Sequence, residues 1–530
     1  MKKLVATLLA AILLLSVWGT AALAENSAVV GDSTYATITK LTDEDVTLKI
    51  MLAIRDTDSL VPPAELDAVK NLEALTGVKT EWEVIKGSDW SMKTSLMWTT
   101  GDYPDILIAV NGGGGVDYEE YGVSQGLVIP LNDYINADVM PNYYGRIAAE
   151  DNDPTVSLVA SDGQVYSIGY LVGQNICEEG HYFINNDWLT ELNLEVPETV
   201  EQLTEVLRQF KQAHPDGVPY EIAFEVPYYS AINYTMPMFG VPNSDKWIYI
   251  DNDKQVQFIP YQPGFRAALE WCHQLYEEGL LDPECLSQDS TTFNNKLAEG
   301  NVGFFSAWRI SNMGFDDGVY KDCTVILPPH AEGYEALMDR YIEVARPCGF
   351  VTSSCKNPEL ACRFLDAMMD TEMQADLYYG MQNATIGQGW KYNEENGKID
   401  TYTVSSETIK AQIDCNTQFF APGKYINSTY NWSPARLEKI EYCEMYDAAG
   451  VINKYSSQYL GFCGLSADVL SEFNLLEVDI KSAISEAVAD FVQHGITDSS
   501  WDSFTAKFAK MGIDNYVATY QAAIDQMNLD

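Results

Sequence analysis

From Val46 to Val110 the apolar pattern changes period four times, and this alternation restricts the possible folds sharply. Val46-Thr-Leu-Lys-Ile-Met-Leu-Ala53 is a strand by its β-branched and apolar content. Leu66, Val69, Leu72 and Leu75 then recur at helical spacing after Pro62-Pro63, with Gly77 as a C-terminal stop. Val78, Thr80, Trp82 and Val84 alternate as a second strand, a helix is predicted from Ser91 to Thr99, and Asp105 to Val110 forms a short apolar strand. The order β-α-β-α-β predicts an α/β lobe.

A second α/β region begins near Tyr182, where Phe183-Ile184-Asn185 leads into a helix. Thr199 and Gln202 form a capping box, and Leu203, Val206, Leu207 and Phe210 share one face of the helix behind it. Leu269, Cys272, Leu275 and Tyr276 mark the inner stripe of a helix that Gly279 stops, and a strand at Val302 to Phe305 follows. Gly349 to Thr352 reads as a strand, and Ala361, Phe364, Leu365 and Met368 as a core-facing helix begun by Asn357-Pro358. The tail carries three helical stripes: Leu476, Ile480, Ile484, Val488 and Phe491; Trp501, Phe504 and Phe508; Ile513, Val517, Tyr520 and Ile524. Trp188 and Trp501 sit in helix patterns and are read as core.

At the amino end, Met1-Lys2-Lys3 supplies positive charge, Leu4 to Val17 is a short apolar run, and Ala22-Leu23-Ala24 is a small-residue cleavage site. This predicts a secretory signal peptide over 1–24. The remainder is longer than one ordinary core, so two or more packed lobes are expected. The chain has 32 basic and 77 acidic side chains, a net charge of −45 that becomes more negative once Lys2 and Lys3 are removed. Nucleic acid is excluded as a partner on that balance, and a disordered acidic chain is excluded by 46% hydrophobic and 12% aromatic content. The ten cysteines contain no C-x-x-C pair, which leaves both disulfides and buried thiols open, and the spacing of Cys348, Cys355 and Cys362 is no metal pattern.

Enzyme signatures are weak. Gly122-Val-Ser-Gln-Gly126 matches a nucleophile elbow but has no strand leading in and no helix after it. His181, His214, His273, His330 and His494 form no H-E-x-x-H pair, and Gly112 to Gly115 lack the Lys-Ser/Thr of a phosphate loop. Among 77 acids some pairs are inevitable, so a two-carboxylate glycoside hydrolase has no support without geometry.

Several stretches, in order, resemble family 1 extracellular solute-binding proteins of the long lipoprotein-like branch: Gly101-Asp-Tyr-Pro-Asp-Ile106; Asp162-Gly-Gln-Val-Tyr-Ser167; Phe183-Ile-Asn-Asn-Asp-Trp-Leu189 with Val196-Pro-Glu-Thr-Val-Glu-Gln-Leu203; Glu278-Gly-Leu-Leu-Asp-Pro-Glu284 with Phe293 and Gly300-Asn-Val-Gly-Phe304; Lys356-Asn-Pro-Glu359 with Phe364-Leu365, Tyr379-Gly380 and Trp390; and Trp501-Asp-Ser-Phe504 with Met511-Gly-Ile-Asp-Asn-Tyr516. The resemblance implies a periplasmic-binding-protein-like fold, two α/β lobes joined by a hinge with the ligand cleft between them. It also implies a monomer that captures a small-molecule carbohydrate, usually an oligosaccharide, for the membrane permease subunits of an ABC importer and does no covalent chemistry. A receptor for a peptide or other small solute on the same fold is the alternative. The chain departs from the family in two places. No lipid-attachment cysteine precedes Cys177, so a protein that is secreted or held at the extracellular face of the membrane is expected without a lipid anchor. The loop His214-Pro-Asp-Gly217 is shorter than the family's calcium-holding loop, so no metal or cofactor is expected.

The expected organisation is a polar segment over 25–45, lobe 1 over 46–176, lobe 2 over 177–305, a hinge return with the rest of lobe 1 over 306–389, and the rest of lobe 2 with C-terminal helices over 390–530. Ligand contacts are expected on loops at the carboxyl ends of strands. Strand one hands over to Arg55 and Asp56, and the third to Asn111 and Gly112 to Gly115, where the glycines allow close backbone approach or make a plain turn. Trp308, just after the Val302 strand, stands where the family commonly has a sugar-stacking aromatic; filling the hinge core is its other reading. Tyr170, Tyr228, Tyr229, Trp390 and Trp432 are further aromatic candidates, each with core packing as the alternative.

Overall fold

The computed structural model describes residues 30–54, 62–109, 115–151, 153–172, 180–224, 231–307, 323–385, 388–403, 420–432, 434–527 and 529. In chain order the strands among them are β1 (Val46–Ile54), β2 (Val78–Lys86), β3 (Ile106–Ala109), β4 (Ile168–Val172), β5 (His181–Asn185), β6 (Val218–Glu221), β7 (Ile248–Ile250), β8 (Val256–Phe258), β9 (Val302–Ala307), β10 (Cys323–Ile326), β11 (Arg346–Val351), β12 (Gln388–Tyr392), β13 (Ile399–Thr403) and β14 (Phe420–Ala421).

The first lobe is built on a six-stranded sheet ordered β14-β4-β11-β3-β1-β2. β1 lies parallel to β2 and β3, with Ile50 opposite Trp82 on one side and Ile106 on the other. Parallel neighbours need crossover connections, and the helices Asp67–Thr76 and Gly87–Thr100 supply them. The first of these stops at Gly77, whose left-handed φ of 75° turns the chain straight into β2 while its N–H bonds to Glu73 O at 2.9 Å. β11 runs antiparallel to both β3 and β4. Alternate residues of β1 serve two cores: Leu48, Ile50 and Leu52 meet Val69, Leu72, Phe364 and Leu365, whereas Met51 and Ala53 meet Trp90, Met97 and Phe350.

The second lobe holds a four-stranded sheet ordered β10-β5-β9-β6, with β6 parallel to β9 and β5 antiparallel to β9 and β10. Its largest core gathers Leu203, Leu207 and Phe210 of the helix Val200–Ala213, Phe265, Leu269 and Leu275 of the helix Pro263–Glu277, and the tail residues Ile484, Phe504, Tyr516 and Tyr520. The Thr199 and Gln202 capping box forms as the sequence predicts. The three tail stripes become the helices Ala467–His494, Asp498–Met511 and Ile513–Ile524.

Two expected boundaries move. β10 pairs with β5, so the chain is still in the second sheet at Ile326 rather than already returning from residue 306. The hairpin β12–β13, β14 and the helix Gly423–Thr429 pack on the first lobe, since Trp390, Ile399, Ala421 and Ile426 form one cluster with Ala375, so the last return comes after Tyr430 rather than at 390. The polar amino-terminal segment is bound rather than loose. Ser33 Oγ and the Tyr35 hydroxyl donate to Asp376, the amides of Thr34 and Tyr35 donate to Glu372, and Thr37 donates to Asp370, all from residues more than 330 positions away.

Candidate functional site

Because β1, β3, β4 and β14 point the same way, Ile54, Ala109, Val172 and Ala421 end at one edge of the first sheet. In the second sheet β6, β9 and β10 end, and β5 begins, at a single edge. The chain leaves the first of these edges at Val172 and enters the second at His181, so the two edges lie on either side of the lobe crossing. A crevice outside carboxyl strand ends is where α/β sheets bind ligands.

On the second-lobe side, the described residues at this edge form a polar brace. Glu221 ends β6 with 1% of its surface exposed. Gln288 Nε2 donates to Glu221 Oε1 at 2.7 Å and to Ile222 O at 2.9 Å, fixing the first residue beyond the strand. Asp282 takes Lys296 Nζ on both oxygens at 2.9 Å, and Glu284 pairs with the same ammonium at 2.7 Å. Burial, joined by the neighbouring Asp282 charge, pushes the Glu221 carboxyl up to about 9, and the Gln288 bond opposes it only in part. Glu221 is therefore held toward its neutral form at pH 7, next to the Asp282 and Lys296 pair.

On the first-lobe side, Trp90 Nε1 donates to Gly115 O at 2.7 Å, tying the helix Gly87–Thr100 to the chain beyond β3. The Gly169 amide donates to the hydroxyl of buried Tyr143 at 3.0 Å, which holds β4. Trp98 stacks on Tyr121 with centroids 4.4 Å apart, and both rings are half-buried.

Arg55, Asp56, Asn111, Gly112 to Gly114, Tyr228, Tyr229 and Trp308 lie outside the described residues, as does the signal segment. Tyr170 is half-buried in β4, next to Arg346 of β11 across the ladder. Trp432 is half-buried on the last return to the second lobe, with Nε1 2.9 Å from Asn427 Oδ1. Trp390 is a correction. It is 0% exposed, donates from Nε1 to Asp376 Oδ1 at 2.8 Å, and packs edge-on against Tyr392, so its indole fills a core and is closed to a ligand. Ser124 of the elbow-like motif sits on a short π-helical turn with no strand before it.

The brace around Glu221 escaped sequence reading, although a lone acid within Val218-Pro-Tyr-Glu-Ile-Ala-Phe224 is a visible signal for a buried, specifically paired carboxyl. Cys272, Cys285, Cys348, Cys355, Cys362 and Cys463 are free thiols, and Cys443 is disulfide-bonded. No group of three or more His, Cys, Asp or Glu side chains among the described residues could hold a metal ion, and no helix among them is long and apolar enough to cross a membrane.

The family described as bacterial extracellular solute-binding protein matches residues 67–387, more than half of the chain. The chain belongs to that family. A fructooligosaccharide ABC transporter substrate-binding protein, FusA of Streptococcus pneumoniae, is 25% identical over 535 residues, covering 95% of this chain and 94% of its own. Among solved structures, an EF-hand mutant of FusA in complex with fructo-nystose superposes with a TM-score of 0.77 at 21% identity, covering 91% of this chain and 99% of the other. An extracellular solute-binding protein from Bifidobacterium longum subsp. infantis superposes with a TM-score of 0.76 at 18% identity, covering 92% and 99%. These likenesses fix the periplasmic-binding-protein-like fold of two α/β lobes. The family's members are binding proteins.

Proposed function

We propose that this protein is the exported solute-binding component of an ABC importer and that it closes over a neutral oligosaccharide between its lobes without transforming it. The family membership carries this reading, supported by full-length similarity to a fructooligosaccharide-binding protein. Fructo-oligosaccharides such as kestose are therefore the first ligands to test. The proposed contacts remain Arg55, Asp56, Asn111, Tyr170, Tyr228, Tyr229, Trp308 and Trp432. Sugar rings would stack C–H faces on the aromatics, and hydroxyls would pair with the polar groups.

The test is a thermal-shift series of the chain from Glu25 onward against kestose, nystose, neutral glucose oligomers, uronides and peptides. A solute at about 100 times its dissociation constant adds roughly 2.7 kcal/mol of stability. Stabilisation by one oligosaccharide series, with the sugar recovered intact after long incubation, is the expected result. Shortened sugars would make the protein a hydrolase, and a response to peptides alone would overturn the solute class.

A further inference from the structure

The second passage between the lobes is anchored on both sides almost to a single residue. From Leu337 to Ile342 a series of backbone and side-chain bonds engages the second lobe. The Leu337 amide donates to Pro237 O at 2.9 Å, and Met338 exchanges bonds with Val451 O and the Asn453 amide at 2.8 and 2.7 Å. Asp339 accepts the Ser457 amide at 3.1 Å, Arg340 reaches Asn453 O at 2.9 Å and Asp447 at 3.0 Å, and the Ile342 amide donates to Gln458 Oε1 at 2.7 Å. Ile452, Tyr455 and Leu460, which carry these partners, belong to the second-lobe core.

From Glu343 onward the partners change sides. Glu343 Oε1 accepts the Gly423 amide at 2.6 Å, and Gly423 opens the helix whose Ile426 is buried in the first lobe. The Ala345 amide donates to Pro154 O at 2.7 Å, and Arg346 starts β11. Between the two anchor sets the Val344 amide folds back onto Ile342 O at 3.1 Å in one tight turn. A Cβ on Gly423 would come within 3.1 Å of Glu343 Oε2, so this approach suits glycine. Around the carboxyl, Glu150 accepts the next amide, that of Lys424, at 3.1 Å, while Lys424 Nζ pairs with Asp151 at 2.7 Å.

We propose that the second crossing turns on the Ile342–Glu343 link, and that Glu343 is a positioning residue whose carboxylate fixes the first-lobe end of this pivot on Gly423. Rigid lobes that rotate need a few residues that absorb the dihedral change. Here the bonds hold Ile342 to the second lobe and Glu343 to the first, on either side of that turn. The inference rests on a two-lobed clamp and not on which solute enters it.

The test compares the full chain from Glu25, ligand-free, with Glu343→Ala, Glu343→Gln and Gln458→Ala by small-angle scattering and thermal unfolding. A compact chain of this length has a radius of gyration of about 23 Å. Both alanine variants should raise the measured radius by on the order of 1 Å and broaden the distance distribution, because each frees one side of the pivot. Glu343→Gln keeps an oxygen acceptor for the Gly423 amide and should match the parent. A fall in melting temperature with unchanged scattering in both alanine variants would reduce Glu343 to a stability contact and overturn the proposal. So would a Glu343→Gln profile as wide as that of Glu343→Ala. Kestose titration is read separately: failure to bind it with the scattering result intact removes the solute assignment and leaves the pivot standing.

Discussion

At the scale of single residues, the buried carboxyl of Glu221 is pushed strongly toward its neutral form. Burial favours the neutral carboxyl of Glu221, and the neighbouring Asp282 adds to the effect. Its folded pKa of about 9 stands above the ordinary glutamate value of 4.5, so the folded state binds more protons than the unfolded state between those limits. Stability from this group is complete below the lower value and is lost as pH rises toward the upper one, with a slope of up to about 1.4 kcal/mol per pH unit. Glu221→Gln keeps a neutral side chain and removes the titration. The urea midpoint of the parent should therefore fall relative to the variant from pH 5 to 8.5, and two parallel profiles would refute the neutral acid. Trp390 and Trp432 look alike in a string of letters, yet one closes a core against Asp376 and the other stays half-exposed, because the difference lies in a hairpin that buries only the first.

At the scale of elements, legibility followed periodicity. The crossover helices, the capped helix at Thr199 and the tail helices are long amphipathic stretches, and their stripes appear in the cores as read. The hairpin β12–β13 carried a signal that was passed over, an Asn396-Gly397 turn between alternating strands. The amino-terminal strap carried none, since Ser33, Thr34 and Thr37 are ordinary loop residues until three carboxylates on a distant helix and its cap receive them. Its anchor is Tyr35, a buried ring at positive φ whose hydroxyl donates to Asp376 at 2.7 Å and accepts from Asn71 at 2.8 Å. Tyr35→Phe removes one bond from each partner, while Asp376 keeps Ser33 and Trp390 and Asn71 keeps Val30 O, and should cost about 1–3 kcal/mol, read as a lower melting temperature. Amide exchange at Thr34 and Thr37 should accelerate more than exchange in β1. Unchanged exchange at those two amides would mean that the strap is held by its backbone bonds to Glu372 and Asp370 alone.

At the scale of the whole molecule, the governing quantity is charge. Acidic side chains outnumber basic ones in each lobe, within a total of −45, so closing the clamp brings two negative bodies together. A neutral sugar does nothing to offset that repulsion, whereas salt does: the screening length shrinks from about 30 Å at 0.01 M to about 8 Å at 0.15 M. Two consequences follow from the same physics. The melting temperature of the ligand-free protein should rise over this salt range, because the compact state is relieved of self-repulsion. Binding of a neutral oligosaccharide should tighten, on the order of two- to five-fold, because the closed form gains more from screening than the open one. Isothermal titration at the two salt concentrations separates these effects. Affinity that weakens with salt would instead place a charged contact between protein and solute, pointing to Arg55 or another cation at the cleft and away from a neutral sugar held by stacking and hydroxyl bonds.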